Sequence, residues 1–272
     1  MSEAALRSAL FVPATRPDRF SKAIASGADA VIVDLEDSVP PDRKPEAREA
    51  LGQYVEAHPG DALWVRINDG TTRWFEDDLA LCRSLPSVVG IVLPKAQKAE
   101  HVYIVSGAGK PLMPVIESAA GVRELDRIAA ANGVARLSFG ILDLMVELGT
   151  HPNTPAARFL LNQLRFQILV ASRMHGLASP LDSVYADFSD LEGLAETAGM
   201  ARDMGFGGML CIHPAQVPVV HGVYRPSEQD LDWARRVVAH ADETGEYAFR
   251  LDDRMVDRPL IERARRMLEP SA

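Results

Sequence analysis

Short runs of Val, Ile and Leu, broken by Gly, Pro or polar residues, recur along most of the chain, and the stretches between them carry apolar residues at helical spacing. Runs of this kind read as strands covered on both faces, as in a parallel sheet flanked by helices. Eight can be marked, at 8–14 (SALFVPA), 29–37 (DAVIVDLED), 61–69, 88–96, 110–118, 135–143, 177–185 and 208–216. Between the first two lies RPDRFSKAIASG, with Pro17 and Asp18 near its start and Gly27 at its end, the punctuation of a helix. KPEAREALGQYVEAHPG, FEDDLALCRSL, GVRELDRIAAANG and DLEGLAETAGMARDMG follow the same rule, and 154–176 has room for a short helix and then a longer one. Eight strands alternating with helices, and no repeated block, predict an α/β protein of (β/α)8 TIM-barrel type, with an open doubly wound sheet as the structural rival.

Beyond the eighth strand the pattern changes. Residues 226–272 carry two charged amphipathic helix patterns joined by a segment containing Gly245, Tyr247 and Phe249. Such a piece is too small to hold a good core alone. The division expected is a barrel over 1–225 and a helical C-terminal extension over 226–272, packed on the barrel or on a neighbouring subunit.

Composition narrows the function. The 272 residues are 47% hydrophobic and 25% charged with a net charge of −9, and the Lys and Arg residues are scattered, so the basic footprint of a nucleic-acid binder is missing. Cys82 and Cys211 have no CxxC or Cys/His neighbours, which argues for reduced thiols rather than structural zinc. The N-terminus lacks a signal-peptide core and no run of about 18 apolar residues occurs. A cytoplasmic protein without a membrane span is expected.

In a barrel, chemistry sits where the strands end. By that rule strand two ends in Asp34, Glu36 and Asp37, strand three in Arg66 and Asn68, strand four in Lys95, strand five in Glu117, strand six in Asp143, strand seven in Asp182 and strand eight in His213. Glu117 and Asp143, from neighbouring strands, would repel each other unless a proton or a cation lay between them. A hard divalent ion such as magnesium suits the pair, since it takes about six oxygens and usually only one or two protein carboxylates. The plainer reading has each acid capping the helix that follows it. Arg66 could grip a substrate carboxylate, or bind Glu36 or Asp37 to hold the rim together. The acidic DLEDS turn reads as a support for Arg66 and Lys95. Lys95 could form a Schiff base or act as a charge partner, and His213 could be a base or a packing residue. Neither GxGxxG nor GxxxxGK[ST] occurs.

The opening SALFVPATRPDRFSKAIASGADAVIVDLEDSVPPDRKPEAR resembles that of the citrate lyase β-subunit and malyl-CoA lyase group within the HpcH/HpaI aldolase superfamily. VRIN, VLPKA, PVIESAAGV, SFGILDL, CIHPAQV and MVDRPLIERA follow in that group's order, so the resemblance spans nearly the whole chain. It implies a TIM barrel that makes or breaks a carbon–carbon bond between a CoA-thioester enolate and a 2-oxo acid. It further implies Mg2+, or Mn2+, on Glu117 and Asp143, substrate contact at Arg66, and a C-terminal lid reaching an adjacent subunit of a homotrimer or hexamer. Asp257, in the MVDRP motif, would then be the acid/base. Arg16, Arg19 and Lys44 are candidates for the phosphates of CoA. Ile141 and Leu142 depart from the group, in which a small residue and an acid usually precede the metal-binding Asp.

The function expected is therefore a Mg-dependent lyase cleaving a 3-hydroxyacyl-CoA of the citryl-CoA, malyl-CoA or citramalyl-CoA type to an acyl-CoA and a 2-oxo acid. Three rivals stand beside it: a malyl-CoA-type thioesterase on the same metal site, a β-subunit that works only with a carrier protein in a larger citrate lyase, and a pyruvate or phosphoenolpyruvate aldolase without CoA.

Overall fold

The computed structural model describes residues 6–151 and 154–268. The chain divides into two compact units, Leu6–Tyr224 and the described part of Arg225–Ala272.

The first unit is an eight-stranded parallel barrel. Its strands are β1 (Ser8–Pro13), β2 (Ala30–Asp34), β3 (Leu63–Arg66), β4 (Val88–Leu93), β5 (Leu112–Ile116), β6 (Ser138–Phe139), β7 (Leu181–Asp182) and β8 (Gly208–Cys211). They pair in the order β6-β5-β4-β3-β2-β1-β8-β7. The gap between β6 and β7 is bridged by the Leu181 N–H, 3.0 Å from the Leu137 carbonyl, and by the Ser138 hydroxyl, 3.0 Å from the Leu181 carbonyl. Barrel and strand count agree with the sequence pattern, and the open sheet is excluded.

Side chains alternate as the pleat requires. Ala9, Ala30, Ile32, Val92, Met113, Val115, Leu181 and Leu210 form the barrel interior, while Leu10, Val12, Val31, Val33, Leu63 and Val65 face outward into the helices. Phe11 and Trp64 pack against this interior cluster. The cross-strand partner of Trp64 is Gly90, where a Cβ would lie 2.5 Å from the indole ring.

The helices of this unit are α1 (Phe20–Ile24), α2 (Lys44–Ala57), α3 (Phe75–Ser84), α4 (Ala99–Ser106), α5 (Ala119–Arg123), α6 (Leu125–Ala129), α7 (Ile141–Glu147), α8 (Pro155–Met174), α9 (Leu191–Met204) and α10 (Gln216–Tyr224). Two differ from expectation. The strand marked at 135–143 stops at Phe139, because Gly140 ends it and ILDLMVE coils at once into α7, so Asp143 belongs to the first turn of a helix. The stretch 154–176 holds one helix rather than two. Thr154 caps it through a 3.1 Å bond from the Ala157 N–H, Pro155 starts it, and no Gly or Pro interrupts it before Gly176.

The second unit runs α11 (Glu228–Thr244), β9 (Ala248–Leu251), β10 (Arg254–Asp257) and α12 (Arg258–Leu268). The segment between its helices is an antiparallel hairpin, not a plain connection. Asp252 and Asp253 turn it with φ of +49° and +59°, the positive values a tight two-residue hairpin loop demands. Val256 of the hairpin joins Ala234, Val237, Ala241, Ile261 and Ala264 in a separate small core. Among the described residues no helix is long and apolar enough to cross a membrane.

Candidate active site

Where β2 to β5 end, and where α7 starts, the chain gathers charge on one rim. Parallel register sets Asp34 beside Arg66, and the guanidinium grips the carboxylate in a fork, Nε to Oδ1 and Nη2 to Oδ2, both at 2.7 Å. The Phe11 ring supports it from below, 4.7 Å from the guanidinium carbon. Burial alone would raise the Asp34 carboxyl, but Arg66 and the hydrogen bonds donated by Ser38 and Glu36 hold it below the ordinary range. Burial likewise opposes the charge on Arg66, and Asp34 more than offsets it.

Glu36 is 3% exposed and sits between two cations. Its Oε1 accepts from Lys95 Nζ, and its Oε2 lies 3.2 Å from Arg66 Nη1 without a hydrogen bond. Burial pushes its carboxyl up to about 7 against the pull of both. Lys95 ties the rim together: Nζ reaches Asp37 at 3.2 Å and Asp143 at 3.8 Å, and its backbone N–H donates to Glu117 Oε1 at 2.6 Å. It does so from a left-handed backbone, φ +47°, which a non-glycine residue rarely adopts and which clusters at functional sites. Burial would ease the proton off this amine, but the bond to Glu36 keeps it on, above the usual lysine range. A protonated, ion-paired amine is a poor Schiff-base nucleophile.

Glu117 follows the last residue of β5 and is buried. Its carboxyl is pushed up to about 7, first by burial; the Lys95 N–H works the other way, and the nearby charges of Glu36 and Asp143 add to the rise. The residue beside it in the β5–β6 register is Gly140, one past the Ile116–Phe139 pair. A Cβ at Gly140 would overlap Glu117 Oε2 and lie 2.8 Å from Glu117 Cβ, so glycine is what lets this carboxylate occupy its place. Glu117 caps no helix; Ser118 does, accepting from the Gly121 N–H at 3.1 Å. Asp143 stands in the first turn of α7 with its side chain 43% exposed. The far side of α7 borders a cleft of about 750 Å3 whose walls include Ile141, Leu142, Met145, Arg158, Tyr185 and Met200.

Among the described residues no cluster of three or more His, Cys, Asp or Glu side chains is placed to hold a metal. A divalent ion here would therefore take two carboxylates, Glu117 and Asp143, with water and substrate supplying the rest, which is the habit of magnesium. The donors fit: both are hard oxygens, Gly140 leaves room for one of them, and a buried carboxyl raised by neighbouring negative charge is one that a cation would relieve.

Several polar residues placed on this rim by their strand position serve the scaffold instead. Asp182 is fully buried and forked by Arg165 of α8 at 3.1 Å through both Nε and Nη2. Asn68 donates to the Leu35 carbonyl and to Asp78. Lys44, a candidate for a CoA phosphate, is buried with its Nζ donating to the Leu35 and Glu36 carbonyls at 2.7 Å, so it ties down the DLEDS turn and does not face a ligand. Arg16 and Arg19 are exposed, Arg16 in a fork with Asp18. His213 is exposed, stacked on Phe188 at 5.0 Å, and its Nδ1 accepts from the Ala215 N–H. Asp257 ends β10 in the second unit and is exposed, its Oδ1 accepting from the Leu260 N–H at 3.4 Å. Cys82 and Cys211 are free and buried, and burial pushes both thiols up to about 12.

Two residues important to this geometry were not singled out from the sequence: Gly140, and Gln216, whose Oε1 accepts from Ile212 and His213 while its Nε2 donates to Tyr185. For Gly140 the signal was available as a glycine directly after a buried strand, opposite an acid one strand away.

Comparison with known proteins gives concordant results. The HpcH/HpaI aldolase/citrate lyase family model matches residues 7–214. A citrate lyase subunit beta-like protein of Mycobacterium tuberculosis is 40% identical over 263 residues, covering 95% of this chain and 93% of that protein. A (3S)-malyl-CoA thioesterase of Cereibacter sphaeroides is 34% identical over 96% of this chain and 93% of its own length. An L-malyl-CoA/beta-methylmalyl-CoA lyase from the same species is 33% identical over 95% and 92%. Among solved structures, the CitE protein of Mycobacterium tuberculosis in complex with magnesium, acetoacetate and coenzyme A is similar with a TM-score of 0.87 and 38% identity, covering 98% of both chains.

Proposed function

Because the chain belongs to the HpcH/HpaI aldolase/citrate lyase family, we propose that it is a metal-dependent carbon–carbon lyase that cleaves a 3-hydroxyacyl-CoA of the citryl-CoA, malyl-CoA or citramalyl-CoA type into an acyl-CoA and a 2-oxo acid. The observation that carries this reading is the pairing of Glu117 and Asp143 on one rim, beside cations already balanced by Asp34, Glu36 and Asp37. Relatives named for malyl-CoA chemistry, and a solved relative holding magnesium and coenzyme A, support the substrate class.

Glu117 and Asp143 would hold Mg2+ or Mn2+, which when bound supplies positive charge to the oxygens of the 2-oxo acid portion. The chain's own residues do the rest. In the cleavage direction the hydroxyl loses its proton, the bond from its carbon to the carbon next to the thioester breaks, and that electron pair becomes the thioester enolate. A proton then returns to the enolate carbon, so nothing is oxidised or reduced overall. Arg66, held rigidly by Asp34, keeps N–H groups beyond those in the fork and would use them to offset charge on the substrate carboxylate or the enolate oxygen. Lys95 and Glu36 position this apparatus: Lys95 orients Glu117 through its backbone, and Glu36 keeps the amine away from nucleophilic chemistry. Asp257 would deliver the proton to the enolate carbon when the C-terminal unit of an adjacent chain closes. Arg16 and Arg19 remain the candidates for the phosphates of CoA. The enzyme would act in the cytoplasm as a homotrimer or hexamer.

A second reading, the malyl-CoA-type thioesterase, is favoured by the relatives of that name. The purified chain with Mg2+ and a panel of citryl-CoA, malyl-CoA and citramalyl-CoA separates the two. A 2-oxo acid together with an acyl-CoA, lost in Glu117→Ala and Asp143→Ala, supports the lyase. Free CoA without a 2-oxo acid supports the thioesterase, and inactivity until a carrier protein is added supports the carrier-dependent subunit.

A further inference from the structure

Lys44 is chemically out of place. It is the first residue of α2, the end of a helix that favours acids over cations, and it is only 5% exposed. Among the described residues its ammonium forms hydrogen bonds to carbonyls and no ion pair. Burial eases the proton off this amine, and the charges of Asp34, Glu36, Asp78 and Asp37 oppose that loss from farther away. A buried charge persists only where hydrogen bonds and nearby charge offset its lost hydration. Here the Leu35 and Glu36 carbonyls do so, each 2.7 Å from Nζ, with the centre of the Trp74 ring 5.3 Å away. Local misfits of this kind concentrate at functional sites, and the two carbonyls show what this one serves.

Both belong to the turn that carries Asp34 and Glu36. Asp34 Oδ1 accepts from the Glu36 N–H at 2.9 Å and from Arg66 Nε at 2.7 Å. Lys44 holds the opposite side of Glu36, its carbonyl. The Glu36 backbone is therefore fixed at both ends, and its carboxylate stands between Lys95 and Arg66, with Oε2 3.2 Å from Nη1. Arg66 is thus framed by two carboxylates whose spacing this turn decides. A second bracket supports the same turn. Asn68 Nδ2 donates to the Leu35 carbonyl at 3.0 Å and to the fully buried Asp78 at 2.6 Å, and Asp78 also accepts from Arg48 Nη1 at 2.9 Å. Lys44 and Arg48 lie one helical turn apart on α2, so one face of that helix secures the turn by two routes. We propose that Lys44 is a positioning residue for the reaction: through the Leu35 and Glu36 carbonyls it sets the two carboxylates that aim Arg66. The proposal rests on the lyase reading for what Arg66 does to the substrate, and on the hydrogen bonds above for how Arg66 is held.

The test is Lys44→Met in the full chain, which keeps the bulk of the side chain and removes its donors. In protein labelled with 15N, the Arg66 Nε–H, identified by its absence in Arg66→Lys, should exchange with solvent about tenfold faster than in the unmodified chain. On the preferred CoA ester kcat/KM should fall about 10–100-fold, most of it in kcat, with Mg2+ affinity unchanged. Tyr54→Phe is the control for a purely structural effect: it lies on the same helix but is bonded to Ser21 and Asp61, and it should move neither readout even where it lowers the Tm. Unchanged Nε–H exchange in folded Lys44→Met overturns the proposal, and so does faster exchange with an unchanged kcat. Should Lys44→Met fail to fold, the shorter, uncharged Lys44→Gln is read by the same two criteria. A parent without lyase activity would count against the proposed chemistry, and Nε–H exchange would then decide by itself whether Lys44 positions Arg66.

Discussion

Replacing Gly140 by alanine adds a single methyl group and should disable the candidate metal site. The backbone permits it, for Gly140 has φ −103° and ψ 103°, in the extended region open to any residue. The obstacle is Glu117. The new Cβ would lie 2.8 Å from Glu117 Cβ and 3.1 Å from Cδ, besides overlapping Oε2. Carbon atoms rest comfortably at about 3.5–4.0 Å, so the Glu117 side chain must retreat by roughly 1 Å. That movement disrupts the 2.6 Å hydrogen bond from the Lys95 N–H, worth about 1.5–3 kcal/mol for a charged acceptor. Misplacement of about 1 Å in a catalytic arrangement can cost ~100-fold in rate. Gly140→Ala should therefore bind Mg2+ about 10–100-fold more weakly in calorimetric titration, the range found when the support of a ligand is lost. Its kcat/KM on the preferred CoA ester should fall ~100-fold. Glu117→Gln is the companion variant. Wild-type Mg2+ affinity in a folded Gly140→Ala chain would refute the reasoning, because the carboxylate would then either not need this place or not hold the ion.

Three other outcomes follow from the same geometry. Glu117 titrates near 7 when folded and near 4.5 when not, so the folded chain holds this proton more tightly; its contribution is complete below about pH 4.5 and is lost as pH rises through about 7, up to about 3 kcal/mol. The metal-free Tm should fall between pH 5 and 8 more steeply than that of Glu117→Gln, and parallel profiles would contradict the assignment. Asp257→Asn should lower lyase turnover by about 10²–10⁴-fold, the usual worth of a general acid, while leaving Mg2+ affinity as it was; weaker metal binding would mean that Asp257 acts through the ion site instead. Arg165→Ala should destabilise the barrel by about 3–5 kcal/mol in urea unfolding, since it leaves the fully buried Asp182 without its cation, and Arg165→Met combined with Asp182→Leu should recover most of the loss.

Much of this architecture was legible because it rests on period and punctuation. A strand such as AVIVD, buried at every position, reads as a short apolar run, and eight short apolar runs spaced by longer helical segments admit few folds. What stayed hidden depended on what lies across from what. DLEDS supplies Asp34, Glu36 and Asp37, and nothing within it distinguishes the one that forks Arg66 from the one that meets Lys95; register does, by setting Asp34 opposite Arg66. Asp182 and Glu117 both follow or end a buried strand, yet only Asp182 has an arginine on a packed helix to neutralise it, and that arginine is 17 residues away in sequence. Lys44 looked like a cation for a ligand because its carbonyl partners belong to the backbone, which the sequence does not display.

The same logic separates Asp143 from Glu117. On a strand, Asp143 would have been a rigid wall of the barrel; at the start of α7 it is a candidate ligand carried by a short helix, partly exposed, and tied to the rest of the rim by Lys95 at 3.8 Å. Glu117 is fixed by a backbone N–H and by the space that Gly140 leaves. One carboxylate is therefore preorganised and the other adjustable, which suits an ion that must accept substrates of changing shape at its open positions. On its far side α7 borders the cleft, and Leu142 there is 55% exposed. With Ile141 it forms part of the cleft wall. Asp143 thus sits on a short helix whose other side lines the cleft, with Lys95 as its ion-pair partner.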